Sequence, residues 1–153
     1  MPLDAVVAAA GIGRATLYRH FPDRTALLLA LFDREVETIR RAQEDAEPGE
    51  ALLAMIAQFA RLASQAPALM DGWRAVAADD PKLQARQRDV VALFKDPLAA
   101  AVKCGAVRPD LTIGDVVAVM RMVAVGASQG GLENRVAGDR ILELVLNGVL
   151  RRG

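Results

Sequence analysis

One stretch near the start of the chain gives the strongest indication of the fold: Ala9-Ala10-Gly11-Ile12-Gly13-Arg14-Ala15-Thr16-Leu17-Tyr18-Arg19-His20-Phe21-Pro22-Asp23-Arg24. Its pattern predicts the end of one short helix, a turn containing glycine, a second short helix, and a Pro-Asp stop that opens a third helix. The second helix is dense in side chains that reach the bases and phosphates of DNA. We interpret it as a candidate recognition helix; the alternative is a surface helix with ordinary solvated charges.

The residue types suggest a role for each position of this helix. Arg14 and Arg19 suit base edges or nearby phosphates, because arginine bonds guanine through two parallel hydrogen bonds. Ala15 and Thr16 would lie at the floor of the groove, where a methyl group contacts thymine. Three further side chains are expected to grip phosphates: Tyr18, His20 and Arg24.

The same residues carry a family resemblance. Residues 11–24, followed by Ala26-Leu27-Leu28, closely resemble the helix-turn-helix of TetR-type transcriptional regulators, above all in the Thr-Leu-Tyr-x-His-Phe core of residues 16–21 with a basic residue at Arg24. The resemblance implies an all-α fold with an N-terminal helix-turn-helix and a C-terminal antiparallel helical bundle. Family members also have one helix before this point. Because Met1 begins where that helix should already have ended, we expect the helix-turn-helix to be partial.

Beyond the recognition helix, the sequence predicts helices and no strands. Asp23 is a typical N-cap, and apolar residues recur at helical spacing from Arg24 to about Asp45. The Glu-Pro-Gly-Glu sequence of residues 47–50 ends this pattern. We therefore expect a domain boundary at this point. The resemblance implies a partial DNA-binding head with its connecting helix over residues 1–46, and a helical effector-binding and dimerisation domain over residues 47–153.

Within the second domain, segments that favour a helix alternate with residues that interrupt one. An amphipathic helix should begin after residue 50 and stop before Pro67, and a short helix should end at Asp79-Asp80-Pro81. From Lys82 to Lys103 the pattern predicts one helix kinked by Pro97 and ended by Gly105.

Thr112 and Asp115 form a capping box that opens an apolar helix, and one more helix follows. These last two helices, about 113–131 and 139–151, are apolar over more than one face. Since a small monomeric bundle cannot cover so much apolar surface, we expect them to form a homodimer interface.

The bulk composition narrows the class of protein. The chain has 153 residues, 53% of them hydrophobic, and no net charge, which is typical of a globular protein with a substantial core. With Cys104 and His20 as its single cysteine and single histidine, it offers neither an intramolecular disulfide nor a histidine-cluster metal site, and no cofactor is expected. The apolar run of residues 113–131 contains Asp115 and Arg121, which favours a buried helix over a membrane span and a cytoplasmic protein.

Apolar and polar side chains in the second domain suggest a ligand cavity, although a methionine or aromatic residue at helical spacing is more often plain core. The polar anchors considered are Gln58, Arg61, Arg74 and Arg121. Arg121 is the most suggestive of these, because a charge inside so apolar a helix needs a partner, a ligand or an exposed edge. The candidate pocket residues are Met55, Gln58, Phe59, Met70, Trp73, Phe94, Met120 and Arg121.

Three functional hypotheses remain open at this point. The resemblance implies a dimeric regulator that binds a palindromic operator in double-stranded DNA, represses transcription, and is released by a small-molecule effector. The second hypothesis is a truncated ligand-binding and dimerisation module that does not bind DNA on its own. An enzyme is the third, and the absence of a convergent nucleophile, base or metal set in the sequence opposes it.

Replacing Arg14 and Tyr18 by alanine tests the assignment of the recognition helix. Because both side chains are expected to contact DNA, the double variant of a full-length form should bind the operator at least about tenfold more weakly than that form without the substitutions. Fluorescence anisotropy with labelled operator DNA measures this affinity. An unchanged affinity would remove the assignment.

Overall fold

The computed structural model describes residue 15, residues 19–77 and 79–128, and residues 143, 144 and 147. The regular elements in these ranges are α-helices, so the expected all-α fold is confirmed. They are α1 (Arg24–Glu44), α2 (Ala51–Gln65), α3 (Pro67–Ala77), α4 (Pro81–Leu93), α5 (Lys95–Cys104) and α6 (Ile113–Ser128). The helix expected before residue 11 and most of the helix expected over residues 139–151 fall outside the described residues.

Helix α1 begins and ends where the sequence predicts. The Oδ1 atom of its N-cap, Asp23, accepts a hydrogen bond of 2.7 Å from the Ala26 N–H, which satisfies one of the free donors of the first turn. The C-cap is Asp45. The buried side chains of α1 recur at helical spacing and give it one apolar face: Leu27, Leu28, Phe32, Val36 and Ile39.

Helix α2 returns alongside α1 and lies at the centre of the core. The turn over residues 45–50 joins the two helices, and the Gln58 side-chain amide donates to the Thr38 hydroxyl at 3.2 Å, so they pack antiparallel. On its other sides α2 packs against α3, α5 and α6. Leu52, Met55 and Ala63 have no exposed surface. Burial of this stripe is the main apolar contribution of α2 to stability.

The prediction of one kinked helix from Lys82 to Lys103 is wrong, because the structure has two helices that meet at Phe94. The Phe94 N–H donates to the Val91 carbonyl at 3.2 Å, which closes α4 in a tight turn, and the Phe94 carbonyl accepts from the Leu98 N–H at 3.0 Å, which opens α5. Pro97 therefore lies in the first turn of α5, where a missing N–H breaks no helical hydrogen bond. The fully buried Phe94 ring fixes the junction in the core.

Two predicted helix ends in the second half of the chain are confirmed. Gly105 has φ 77°, the left-handed conformation that favours glycine after a helix, and it follows α5 directly. The capping box opens α6: the Asp115 carboxylate accepts from the Thr112 N–H at 2.8 Å, and the Thr112 hydroxyl accepts from the Asp115 N–H at 3.2 Å. Helix α6 then continues through Gly126 to Ser128.

Leu52→Ala is expected to lower the free energy of unfolding by about 2–5 kcal/mol, since a fully buried leucine leaves both lost apolar burial and a cavity. The matched control is Leu31→Ala on α1, where the side chain is 40% exposed and the loss should stay below about 1 kcal/mol. Urea unfolding at one fixed chain concentration measures both losses. Equal losses would contradict the central position of α2.

Candidate ligand cavity and DNA-binding face

A cavity of about 330 Å³ opens between α4 and α6, with further walls from α1, α2 and α3. Helix α3 packs against both α4 and α6 and so lies between them at one side of the cavity. This volume is in the range of small-molecule sites, and the lining is mostly apolar, as such sites usually are. The described lining residues are Phe32, Phe59, Met70, Trp73, Arg74, Gln87, Val90, Val91, Val117, Met120, Arg121, Ala124 and Val125.

One wall of the cavity contains two stacked aromatic rings. The ring centroids of Phe32, on α1, and Trp73, on α3, are 3.8 Å apart, and the ring planes differ by 18°. Both side chains are 7% exposed, so the pair is almost fully buried against the core. The stack joins the helix that follows the recognition helix to a helix of the bundle, and both rings also line the cavity.

The polar side chains of the lining are two arginines and one glutamine. Arg74, on α3, donates a hydrogen bond to the Asp71 carboxylate one turn earlier, so its charge is compensated. Arg121, on α6, is exposed and makes no ion pair with any residue in the described part of the chain. The described lining includes no aspartate or glutamate. The cavity is thus apolar, with positive charge at its edge.

The structure brings together five of the eight candidate pocket residues: Phe59, Met70, Trp73, Met120 and Arg121. Met55 and Phe94 lie in the core with no exposed surface and do not line the cavity. Gln58 is directed to Thr38 on α1, and Arg61 is an exposed residue of α2 outside the lining. Of the other polar anchors, Arg74 does line the cavity. A ligand-binding role for these residues stays a prediction.

Several lining residues were not among the candidates, and some of them follow from helical spacing. Val117 and Val125 lie four residues before and after Arg121, so all three share one face of α6. Gln87 and Val91 are related in the same way on α4. Phe32 has no comparable local signal, because only its contact with Trp73, 41 residues later, places it at the cavity.

The residues predicted to contact DNA are exposed wherever the structure describes them. Ala15, Arg19 and His20 have helical backbone and exposed side chains, and Arg24 is exposed in the first turn of α1. An exposed helical face that presents arginine and histidine suits contacts to phosphates and base edges. The other three predicted contacts, Arg14, Thr16 and Tyr18, lie outside the described residues.

Two family models match the chain over most of its length. Residues 1–31 match the model described as bacterial regulatory proteins, tetR family, and residues 47–151 match the model described as the C-terminal domain of SbtR-like transcriptional regulators. The chain belongs to the TetR family of transcriptional regulators. It is a DNA-binding transcriptional regulator, as the resemblance of the helix-turn-helix implies.

Solved TetR regulators have similar folds. The TetR regulator SCO0520 from Streptomyces coelicolor is 29% identical with a TM-score of 0.71, over 99% of this chain and 89% of that chain. The TetR regulatory protein from Mycobacterium vanbaalenii is 24% identical with a TM-score of 0.63, over 99% and 84%. The ketosteroid regulator KstR2 of Mycobacterium tuberculosis is 20% identical with a TM-score of 0.62, over 99% and 86%. The last two similarities show the fold alone, and no curated protein matches this chain.

In this TetR regulator, no described helix combines the length and the hydropathy that a membrane span requires. The described residues also contain no group of three or more histidine, cysteine, aspartate or glutamate side chains arranged to hold a metal ion.

Two polar contacts and one close approach tie α1 of the regulator to α3 and α4, beside the aromatic stack. The Thr25 hydroxyl donates to Asp80 Oδ2 at 2.8 Å, and Arg86 Nε donates to Asp33 Oδ1 at 2.6 Å. At Gly72, on α3, a Cβ atom would lie only 3.2 Å from the Cδ2 atom of Leu28 on α1, so the Leu28 side chain packs closely against α3 at this position. The start of α1, directly after the recognition helix, is therefore fastened to the bundle.

Asp80 has two roles at this junction. It is the N-cap of α4, where its carboxylate accepts from the Lys82 N–H at 2.9 Å. The contact with Thr25 was not predicted, because 55 residues separate the partners. The Thr25 hydroxyl, followed by the Lys82 N–H, holds the pKa of the Asp80 carboxyl below its ordinary value.

A Thr25→Val variant should reveal this contact through the pH dependence of stability. A carboxyl whose pKa is lowered by folding stabilises the folded state above its unfolded-state pKa, and the contribution is lost as the pH falls through its folded-state pKa. The variant is thus expected to have a lower free energy of unfolding at about pH 7, and the difference from the parent protein should shrink below about pH 4.

Urea unfolding over a pH series measures this difference. Thr25→Ser keeps the hydroxyl and should show the pH dependence of the parent protein. A difference between Thr25→Val and the parent that stays constant from neutral to acid pH would mean that Asp80 is not stabilised by Thr25.

Proposed function

We propose that this chain is a one-component regulator in which a small molecule, bound in the cavity, controls affinity for a palindromic operator. The supporting observation is that α1, the helix directly after the recognition helix, forms part of the cavity wall through Phe32. A ligand in contact with the stack of Phe32 and Trp73 would thus touch the helix that carries the DNA-binding head. No further helix is needed to connect the cavity to the DNA-binding head.

This arrangement supports the proposed division of the chain. Residues 1–46 supply the head and its connecting helix, and residues 47–153 supply effector binding and dimerisation. The connecting helix serves both parts, because its first turn is tied to Asp80 and its middle lies at the cavity. A ligand shifts the head only if it binds one position of α1 more tightly than the other.

Two copies are proposed to associate through the last two helices, about 113–131 and 139–151. Large apolar side chains are exposed there: Met122 is 51% exposed, Val125 43% and Leu144 56%. A two-fold dimer would place two recognition helices in successive major grooves, about 34 Å or somewhat more apart. The regulator would work in the cytoplasm and repress transcription until the effector binds.

A side chain that fills the cavity should imitate the effector. Val91→Phe enlarges a lining residue of α4, whereas Ala92→Phe enlarges its exposed neighbour, which does not line the cavity. If cavity occupancy favours a head position that mismatches the operator, Val91→Phe should weaken operator binding by about 5–100-fold. Ala92→Phe should bind like the parent protein.

The assay is fluorescence anisotropy with DNA flanking the gene, or with a site that the parent protein selects from random sequences. Circular dichroism and thermal unfolding of both variants establish that they are folded. A folded Val91→Phe variant with the operator affinity of Ala92→Phe would contradict control of the head by the cavity.

A further inference from the structure

The apolar cavity continues into a second, more open cleft. Four residues line both spaces: Gln87, Val91, Val117 and Arg121. The cleft adds three polar residues of α4 and α5, namely Gln84, Arg88 and Lys95. One end of the combined space is therefore aromatic and apolar, and the other end carries three cationic side chains.

These cations lack acidic partners in the described part of the structure. Arg88, Lys95 and Arg121 make no ion pair with any described residue, and the described lining of the cleft includes no aspartate or glutamate. Arg74, in contrast, is paired with Asp71. Cationic side chains without acidic partners along a cleft with low-dielectric walls create a positive potential that concentrates anions.

Arg121 is the residue at which the apolar cavity adjoins the positively charged cleft. It lines the apolar cavity as well as the cleft, and its side chain is exposed. An apolar molecule against the Phe32 and Trp73 rings would extend toward this guanidinium, which binds carboxylates and phosphates through two parallel hydrogen bonds. A cationic ligand would meet three like charges there.

We propose that the cavity binds an amphipathic organic anion, with its apolar body against the stack of Phe32 and Trp73 and its negative group on Arg121 at the entrance to the cleft. This inference rests on the proposed function and names the chemical class of the effector. Arg88 and Lys95 extend the positive surface beyond Arg121 and accommodate a longer or more highly charged anionic group.

Three probes with ten-carbon chains isolate the effect of charge: decanoate, decanol and decyltrimethylammonium, all kept below their micelle concentrations. Trp73 is the only tryptophan of the chain and lines the cavity, so its fluorescence reports binding directly. Decanoate should bind most tightly, and its affinity should fall as salt is added, because salt screens exposed charges. Decanol should show little salt dependence.

Variants at Arg121 assign the charge preference to this side chain. Arg121→Gln should weaken decanoate binding about fivefold, as expected for a partly screened ion pair, and should change decanol binding less than twofold. Arg121→Glu should weaken decanoate binding more than Arg121→Gln does, because it places a negative charge beside the carboxylate. Arg34→Gln, which removes an exposed arginine of α1 outside the cavity lining, should leave all three affinities unchanged.

The outcomes separate this inference from the proposed function. Equal binding of decanoate and decanol, unaffected by Arg121→Gln, would overturn the anion preference and leave a ligand cavity in place. A fluorescence response to decanoate that persists in Val91→Phe would show binding outside the cavity and would also overturn the inference. If no probe binds while Val91→Phe still weakens operator binding, the inference fails and cavity control of the head survives.

Discussion

The stack of Phe32 on Trp73 is the interaction on which the rest of the arrangement depends. It is a contact between the helix after the recognition helix and the bundle, and both of its rings also line the cavity. Both rings are almost fully buried, so the pair removes a large apolar area from water at this contact. A ligand that changes the geometry of the rings thus acts on a contact that holds the connecting helix in place.

The strengths of the remaining polar contacts of α1 are compatible with the proposed control by an effector. Coupling between an effector and an operator needs about 1–3 kcal/mol, which is the size of one or two non-covalent contacts. The Thr25 to Asp80 hydrogen bond and the Arg86 to Asp33 ion pair are partly exposed, so each is weak compared with the buried core around α2. These polar contacts therefore contribute less to the position of the connecting helix than its buried apolar face does, which includes Leu27, Leu28 and Phe32.

Structural features that depend on neighbouring residues were predicted from the sequence. Features that depend on contacts between residues distant in the sequence were not. The Asp23 cap, the Gly105 stop and the Thr112 and Asp115 capping box each need only one helix end, and all three are confirmed. The apolar stripes predicted the core. Periodicity places Met55 and Phe59 on one face of α2, but it does not tell which of them meets core and which meets the cavity. Likewise, the two helices that meet at Phe94 depend on the burial of its ring.

Arg121 shows that the sequence restricts the possible environments of a charge in an apolar helix, whereas the structure is needed to choose among them. Such a residue requires a partner, a ligand or an exposed edge, and α6 supplies an exposed edge at the mouth of the cavity. Because the guanidinium keeps its hydration, the folded protein bears no large desolvation cost for an unpaired charge. A buried arginine here would have needed an acidic partner, which would have cancelled its field. The exposed position instead leaves the charge available to the proposed ligand, for which the apolar walls behind it would supply most of the binding energy.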